Sequence, residues 1–143
     1  MIDFTIERDI SAPIETVFAK LTDHRGYASL TPLRKSELER EGTPAPNGVG
    51  AVRKLSLLGP PMREEVTTYE QPKHFAYTLL SGLPVRNHVG DVRLEQTGAG
   101  THVTYHLTSH PTIKGAGPVL EAILKQAIGR LVTGVAKSAE AAR

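Results

Sequence analysis

The chain has 143 residues, the length of one ordinary domain, and with 39% hydrophobic and 22% charged residues it has the composition of a globular protein. Seventeen Lys and Arg against fifteen Asp and Glu give a net charge of +2, too small a surplus to indicate binding to nucleic acid or to an anionic membrane. The lack of cysteine excludes disulfides, thiolate metal sites and cysteine nucleophiles, and no apolar stretch is long enough to span a membrane.

The first segment predicts a half-buried strand followed by a helix. Residues 2–10 alternate between apolar and mostly acidic side chains, with Arg8 as the one charge on the apolar side. Ser11 is placed to cap the helix, whose first turn then holds Pro13. The apolar residues that follow are spaced by three and four, as on one helix face: Ile14, Val17, Phe18 and Leu21. A break and a second short helical piece are expected over residues 23–27.

Six further strands are predicted, joined by short turns rich in glycine and proline. Residues 34–40 carry a single apolar side chain, Leu38, among charges, which indicates an edge strand. The other strands are predicted from alternating segments at residues 51–57, 62–69, 75–80, 88–95 and 103–108. Residues 97–100 (TGAG) predict a tight hairpin turn between the last two strands. Because short turns join neighbours, we expect the strands to run antiparallel.

A long amphipathic helix is predicted at the end of the chain, over about 23 residues from Pro118. Its apolar stripe contains Leu120, Ile123, Leu124, Ala127, Ile128, Leu131, Val132 and Val135. Charges of both signs on its other side favour packing against a sheet over lying on a membrane surface. Because only this helix is large enough to cover the sheet, the pattern predicts an α+β fold, a curved antiparallel sheet of about seven strands around the helix.

Three segments and the C-terminal helix carry a resemblance to a known family. The segments are residues 6–23 (IERDISAPIETVFAKLTD), residues 48–53 (GVGAVR) and the hairpin from Leu94 to Tyr105. With them the whole chain resembles the SRPBCC superfamily, which includes START-like, polyketide cyclase/dehydrase and lipid-transport proteins. The resemblance implies a single helix-grip domain over residues 1–143, with two short helices between the first and second strands. It also implies a cavity between the sheet and the long helix that holds an apolar or amphipathic, lipid- or polyketide-like molecule.

Several residues are expected to line that cavity. The chain has only three Phe and four Tyr and no Trp, so few bulky side chains are available to fill the interior. Strand alternation directs Tyr77, His88 and Tyr105 inward, where two hydroxyls and an imidazole would orient a ligand. Burial with a hydrogen-bonding neighbour is the simpler role for His88. For the two tyrosines, an equal alternative is that the rings are part of the core and the hydroxyls bond a neighbour or water. The apolar residues expected beside them are Leu55, Val66, Val92, Leu124 and Ile128.

Three charged residues, Arg8, Arg53 and Glu64, share the inward side of their strands. Each is a candidate polar anchor: an arginine for a carboxylate or phosphate, the glutamate as a base. The alternative is an Arg–Glu pair, or charges that reach solvent at the strand ends. The high cost of burying an unpaired charge favours that alternative.

The remaining histidines do not predict a metal site. His102, His106 and His110 are spaced by four along a strand, which separates neighbours by about 13 Å and prevents them from sharing one ion. No nucleotide-binding, zinc-protease or serine-hydrolase motif is present. We therefore expect neither a metal nor a cofactor.

The sequence favours a binding protein for an apolar small molecule, without nucleic acid or a transmembrane segment. One alternative is a polyketide cyclase/dehydrase-type enzyme that uses the same cavity, with His88 as acid or base. A second is a co-chaperone-like interaction module, which would have a filled core and an exposed apolar patch. Since acidic residues interrupt the first apolar run, it does not fit a signal peptide, and we expect a cytoplasmic protein. The sequence does not distinguish a monomer from a homodimer.

Overall fold

The computed structural model describes residues 1–23, 35–56 and 61–142. In these ranges the chain forms one seven-stranded sheet and two helices. The elements in chain order are β1 (Ile2–Ile10), α1 (Ile14–Thr22), β2 (Lys35–Arg40), β3 (Val52–Ser56), β4 (Met62–Glu70), β5 (His74–Ser81), β6 (Val85–Thr97), β7 (Gly100–Pro111) and α2 (Gly117–Ala142). The predicted helix-grip architecture is confirmed: a curved antiparallel sheet with a long C-terminal helix.

The strand order is β1-β7-β6-β5-β4-β3-β2, so the first and last strands of the sheet in sequence lie side by side. Each neighbouring pair is antiparallel, as the short turns predict for strands that follow one another in the chain. The turn between β6 and β7 contains Gly98 and Ala99, and the positive φ of Gly98 (63°) suits a residue without Cβ. The charged strand β2 is at the far edge, as its composition predicts.

Helix α2 supplies the cover for the inner face of the sheet. It packs against β1 and α1, and its buried residues are Leu124, Ile128, Leu131, Val132, Val135, Ala136 and Ala139. Each large aliphatic side chain among them contributes about 1.5–3 kcal/mol through burial. The stripe is narrower than the sequence predicts, because Ile123 and Ala127 lie on the exposed side of α2. The early part of the helix therefore presents apolar surface outward.

The start of α1 differs from the sequence prediction. The N-cap is Pro13, with no side-chain hydrogen bond, and Ser11 is therefore not the cap. The Ser11 amide instead donates to Oε2 of Glu140, 3.0 Å away, which ties the β1–α1 connection to the end of α2. Of the second helical piece expected over residues 23–27, all but Asp23 lie outside the described residues.

Strict alternation along β4 would place Thr68 on the inner side with Val66. A β-bulge changes this arrangement. The pairing with β5 shifts between these residues, so that Thr67 is an extra residue. The shift reverses the alternation beyond it and directs Tyr69 to the core, where its ring meets that of Phe18 edge to face at 5.2 Å. The bulge thus fixes which residues close this end of the core.

Candidate functional site

Five neighbouring strands bring buried polar side chains together on the inner face of the sheet. We call this set the inner polar cluster; it consists of Arg53, Glu64, Tyr77, His88, Tyr105 and Ser109. Contacts run from one member to the next across β3, β4, β5, β6 and β7. The sequence predicts the inward direction of all but Ser109, and the structure shows which of them touch.

Arg53 and Glu64 form a buried ion pair. They are direct partners in the β3–β4 register, and Nη2 of Arg53 donates to Oε1 of Glu64 at 2.6 Å. The guanidinium also lies over the rings of Phe75 and Tyr77, at 5.1 and 5.0 Å from the ring centroids. Arg53 is only 1% exposed, so its charge is matched by Glu64 and the aromatic faces rather than by water. As a unit this pair is electrically neutral.

The two inner tyrosines meet over a glycine. Tyr77 is the direct partner of Gly90 in the β5–β6 register, and a Cβ at Gly90 would lie 2.3 Å from two carbons of the Tyr77 ring. The missing side chain therefore lets the ring lie flat across the sheet. Its hydroxyl hydrogen-bonds that of Tyr105. Burial is the main cause that raises the pKa of Tyr77 well above its usual value, so this phenol is neutral.

His88 faces inward beside a second β-bulge. The β6–β7 pairing shifts between Arg86 and Val89, and Asn87 in the bulge has φ of 49°, a conformation that asparagine tolerates. Nδ1 of His88 is 3.0 Å from Oγ of Ser109 in a buried hydrogen bond. Burial lowers the pKa of His88, with a smaller opposing effect from the negative charge of Glu64. A neutral imidazole is therefore favoured.

The apolar residues expected around the ligand are buried in the same core: Leu55, Val66, Val92, Leu124 and Ile128. Arg8 is apart from the inner polar cluster. It is half-buried on β1, and its Nη1 lies 3.4 Å from Oγ1 of Thr133 on α2. Arg8 thus links the sheet edge to the helix, whereas Arg53 and Glu64 pair with each other.

Sequence reasoning missed two contributors to this site. Ser109 shares the alternation of Tyr105 and is fully buried, so strand parity contained the signal. The role of Gly90 required the β5–β6 register, because only that pairing shows that the Tyr77 ring crosses it.

An open cleft of about 550 Å³ lies at the opposite end of β6 and β7 from His88. It is lined by Asp9, Ile10, Ser11, Ala12, Pro13, Thr97, Ala99 and Gly100. It shares no residue with the predicted ligand cavity. The cavity between the sheet and α2 stays a prediction.

The outer face of the sheet pairs histidines with carboxylates. Nδ1 of His102 is 2.8 Å from Asp9 and its Nε2 is 3.1 Å from Glu7, and these contacts, led by that to Asp9, raise the pKa of His102. His106 is 2.7 Å from Asp3. Within the described ranges, His and carboxylate side chains form no group of three or more that could hold a metal ion. Neither described helix is long and apolar enough to cross a membrane.

The inner polar cluster can hydrogen-bond an uncharged group but offers little to an anion. Its one arginine is already neutralised by Glu64, and its phenol and imidazole are neutral. Hydroxyl and imidazole groups both donate and accept, so a carbonyl or a hydroxyl on a ligand suits them.

Comparisons with known proteins agree with this architecture. The family model described as polyketide cyclase/dehydrase and lipid transport matches residues 1–140. A START superfamily protein from Mycobacterium smegmatis is similar over 100% of both chains, with a TM-score of 0.80 and 12% identity. The Zhui aromatase/cyclase from a Streptomyces species has a TM-score of 0.75 and 21% identity over 96% of this chain and 93% of that one. A protein from Thermus thermophilus has a TM-score of 0.76 and 21% identity over 98% of both chains. No curated protein matches the chain.

Proposed function

The chain belongs to the polyketide cyclase/dehydrase and lipid transport family, and we propose that it binds an uncharged, apolar or amphipathic small molecule between the sheet and α2. The observation that carries the proposal is the inner polar cluster. Its members are buried in an aliphatic core yet have no net charge. A few neutral polar groups in apolar surroundings are typical of a small-molecule site.

In the proposed mechanism, burial of apolar ligand surface supplies most of the affinity, at about 25 cal/mol per Å² before the costs of association. Tyr77, Tyr105 and His88 fix the orientation through hydrogen bonds to a carbonyl or hydroxyl. The Arg53–Glu64 pair acts indirectly, since its guanidinium lies over the Tyr77 ring and holds it in place. A carboxylate or phosphate ligand would have to compete with Glu64 for Arg53, which favours uncharged ligands.

A second candidate function is catalysis of a cyclase or dehydrase type in the same place. The hydrogen bond between His88 and Ser109 favours it, because it orients an imidazole that is neutral near physiological pH and able to accept a proton. The family description and the name of the Zhui aromatase/cyclase, given to that protein, are consistent with it. Loss of general acid–base catalysis would lower the rate about 10²–10⁴-fold in His88→Ala.

The experiment is native mass spectrometry of the protein purified from its own source, followed by organic extraction. We expect a retained uncharged molecule of defined mass. Tyr105→Phe should weaken its retention about fivefold to tenfold through loss of one hydrogen bond, whereas His106→Ala on the outer face should not change it. A clean apo mass, together with no thermal shift across a panel of lipids and polyketides, would contradict the binding proposal.

Chemical analysis of the extracted molecule distinguishes binding from catalysis. A carrier should release its ligand chemically unchanged from both the wild type and His88→Ala. An enzyme should convert the extracted molecule on prolonged incubation, and His88→Ala should accumulate the unconverted form.

A further inference from the structure

The contact between α2 and the edge of the sheet contains an unfilled position. In the described sheet β1 is an edge strand, and α2 packs against it. We call this contact, between residues 4–8 of β1 and residues 125–133 of α2, the β1–α2 seam. We propose that the ligand of the inner polar cluster enters and leaves through the seam, between Ile6 and Gly129. Such a route presupposes the binding function proposed above.

Two contacts set the relative position of β1 and α2. Nζ of Lys125 lies over the ring of Phe4, 5.7 Å from its centroid. Four residues further along β1, Nη1 of Arg8 lies 3.4 Å from Oγ1 of Thr133, which is eight residues further along α2. Because the residue numbers rise together on both elements, the strand and the helix run in the same direction along the seam.

Between these two contacts the strand and the helix stay in step. Four residues of an extended strand cover about 13 Å, and eight residues of an α-helix cover about 12 Å. Ile6 is midway on β1 and shares its side of the strand with Phe4 and Arg8. Gly129 is midway on α2, four residues from each of the helix residues in contact, and so lies on the same flank of the helix. Ile6 and Gly129 therefore face each other across the seam.

The position between Ile6 and Gly129 is open. Apart from its own helix turn, no described residue places an atom within 4 Å of the site of a Cβ on Gly129. Close packing thus does not require a glycine here, although glycine is unfavourable inside a helix. Both residues are partly buried, so the open space extends from the surface to the border of the core.

The open position is next to the inner polar cluster. Ile6 is the direct partner of Tyr105 in the β1–β7 register, one strand spacing of about 4.8 Å away. The hydroxyl of Tyr105 in turn hydrogen-bonds that of Tyr77. An apolar molecule that passes between Ile6 and Gly129 therefore reaches the cluster past an aliphatic side chain.

The contacts on either side of the open position are weak enough to let the seam widen. The 3.4 Å between Arg8 and Thr133 exceeds the usual length of an N–H···O hydrogen bond. Lys125 is exposed, and a contact between a cation and a ring contributes little at the surface. Both contacts can separate while the backbone pairing of β1 with β7 stays intact. Opening the seam therefore leaves the sheet unchanged.

Filling the open position should slow the exchange of a ligand without changing its affinity. Stopped-flow fluorescence with Nile red, an uncharged apolar dye, measures the association and dissociation rate constants. In Gly129→Leu we expect both to fall by the same factor, about tenfold, because the bound state is unchanged. Gly129→Ala, with a smaller side chain, should slow both by less.

The matched control is Ala127→Leu, which adds a similar side chain at an exposed position on the same helix. This variant should exchange Nile red like the wild type. The molecule retained on purification gives a second measurement that does not depend on the dye. When the complex is diluted into cyclodextrin, native mass spectrometry should show release about tenfold slower from Gly129→Leu than from the wild type.

Three results would overturn the route. The first is exchange at wild-type rates in Gly129→Leu, and the second is equal slowing in Ala127→Leu. The third is a loss of affinity in Gly129→Leu through faster dissociation alone, which would make Gly129 part of the bound site. Each of these results leaves the binding function intact. That function fails separately, if the wild type neither retains a molecule nor binds Nile red, and the route then fails with it.

Discussion

The two faces of the sheet treat the same residue types in opposite ways. On the inner face, burial lowers the pKa of His88, whose ring meets the hydroxyl of Ser109. On the outer face, hydrogen bonds to Asp9 and Glu7 raise the pKa of His102. The inner face thus favours neutral groups and internally matched charges, while the outer face favours the charged form of His102 beside carboxylates that contact water. This difference is the physical reason for proposing that a ligand bound on the inner side is uncharged.

Breaking the buried ion pair should have the largest effect on stability. Arg53→Met leaves the Glu64 carboxylate buried without its partner, which should lower the free energy of unfolding by about 3–5 kcal/mol. Arg40 and Glu65 form an exposed pair, and Arg40→Met should cost less than about 1 kcal/mol. Urea denaturation measures both. Similar losses in the two variants would contradict the contrast between the faces.

The second largest effect on stability is expected from a side chain at Gly90, next to the inner polar cluster. Gly90→Ala puts a methyl group into the Tyr77 ring, which must move, and we expect a loss of about 1–3 kcal/mol. In a Tyr77→Ala background the ring is gone and the same substitution should cost less. A double-mutant cycle by urea denaturation measures this coupling. If the two losses simply add, Tyr77 does not lie over Gly90.

At Gly129 on α2, unlike at Gly90, an added side chain should stabilise the protein. A Cβ there meets no atom within 4 Å, so Gly129→Ala adds helix propensity without a clash. We expect a gain of up to about 1 kcal/mol. Differential scanning calorimetry should show a higher melting temperature; a decrease would mean that α2 packs closely at this position.

His88 and His102 should change the stability of the protein in opposite directions as the pH rises. Because the folded pKa of His88 is below 6.5, acidification through pH 6.5 favours the unfolded state, and His88→Gln should reduce this loss of stability. Because the folded pKa of His102 is above 6.5, its contribution is complete below pH 6.5 and disappears as pH rises through the folded pKa. His102→Gln should therefore destabilise the protein at mildly acidic pH and have little effect at alkaline pH. Urea denaturation at a series of pH values measures the free energy of unfolding of the wild type and both variants. The same dependence of this free energy on pH in all three proteins would contradict the assignment.

The sequence predicts much of this arrangement, and its failures have local causes. Alternation places His88, Tyr77 and Tyr105 inward because the bulges near them do not change their side of the sheet. It fails at Tyr69, where the extra residue Thr67 reverses the pattern. The contact of Arg53 with Glu64 depends on register between separate strands, which periodicity along one strand does not contain.

The outward turn of Ile123 has a similar cause. Helical spacing groups it with Leu124 and Ile128, but only the sheet decides how wide a stripe is covered. Periodicity is limited in the same way for the ligand site. Residue types and strand alternation indicate a neutral polar site, but the volume of that site depends on how α2 packs against the sheet.

The most direct test of the central claim is NMR of protein with labelled histidine rings, before and after addition of the molecule extracted from the protein's own source. The chain has six histidines, which serve as internal controls for one another. We predict that the ring signals of His88 shift on binding while those of His102 and His106 on the outer face stay unchanged. Ligand-induced shifts confined to the outer histidines, or an unperturbed His88 at saturation, would contradict the assignment of the inner polar cluster as the binding site.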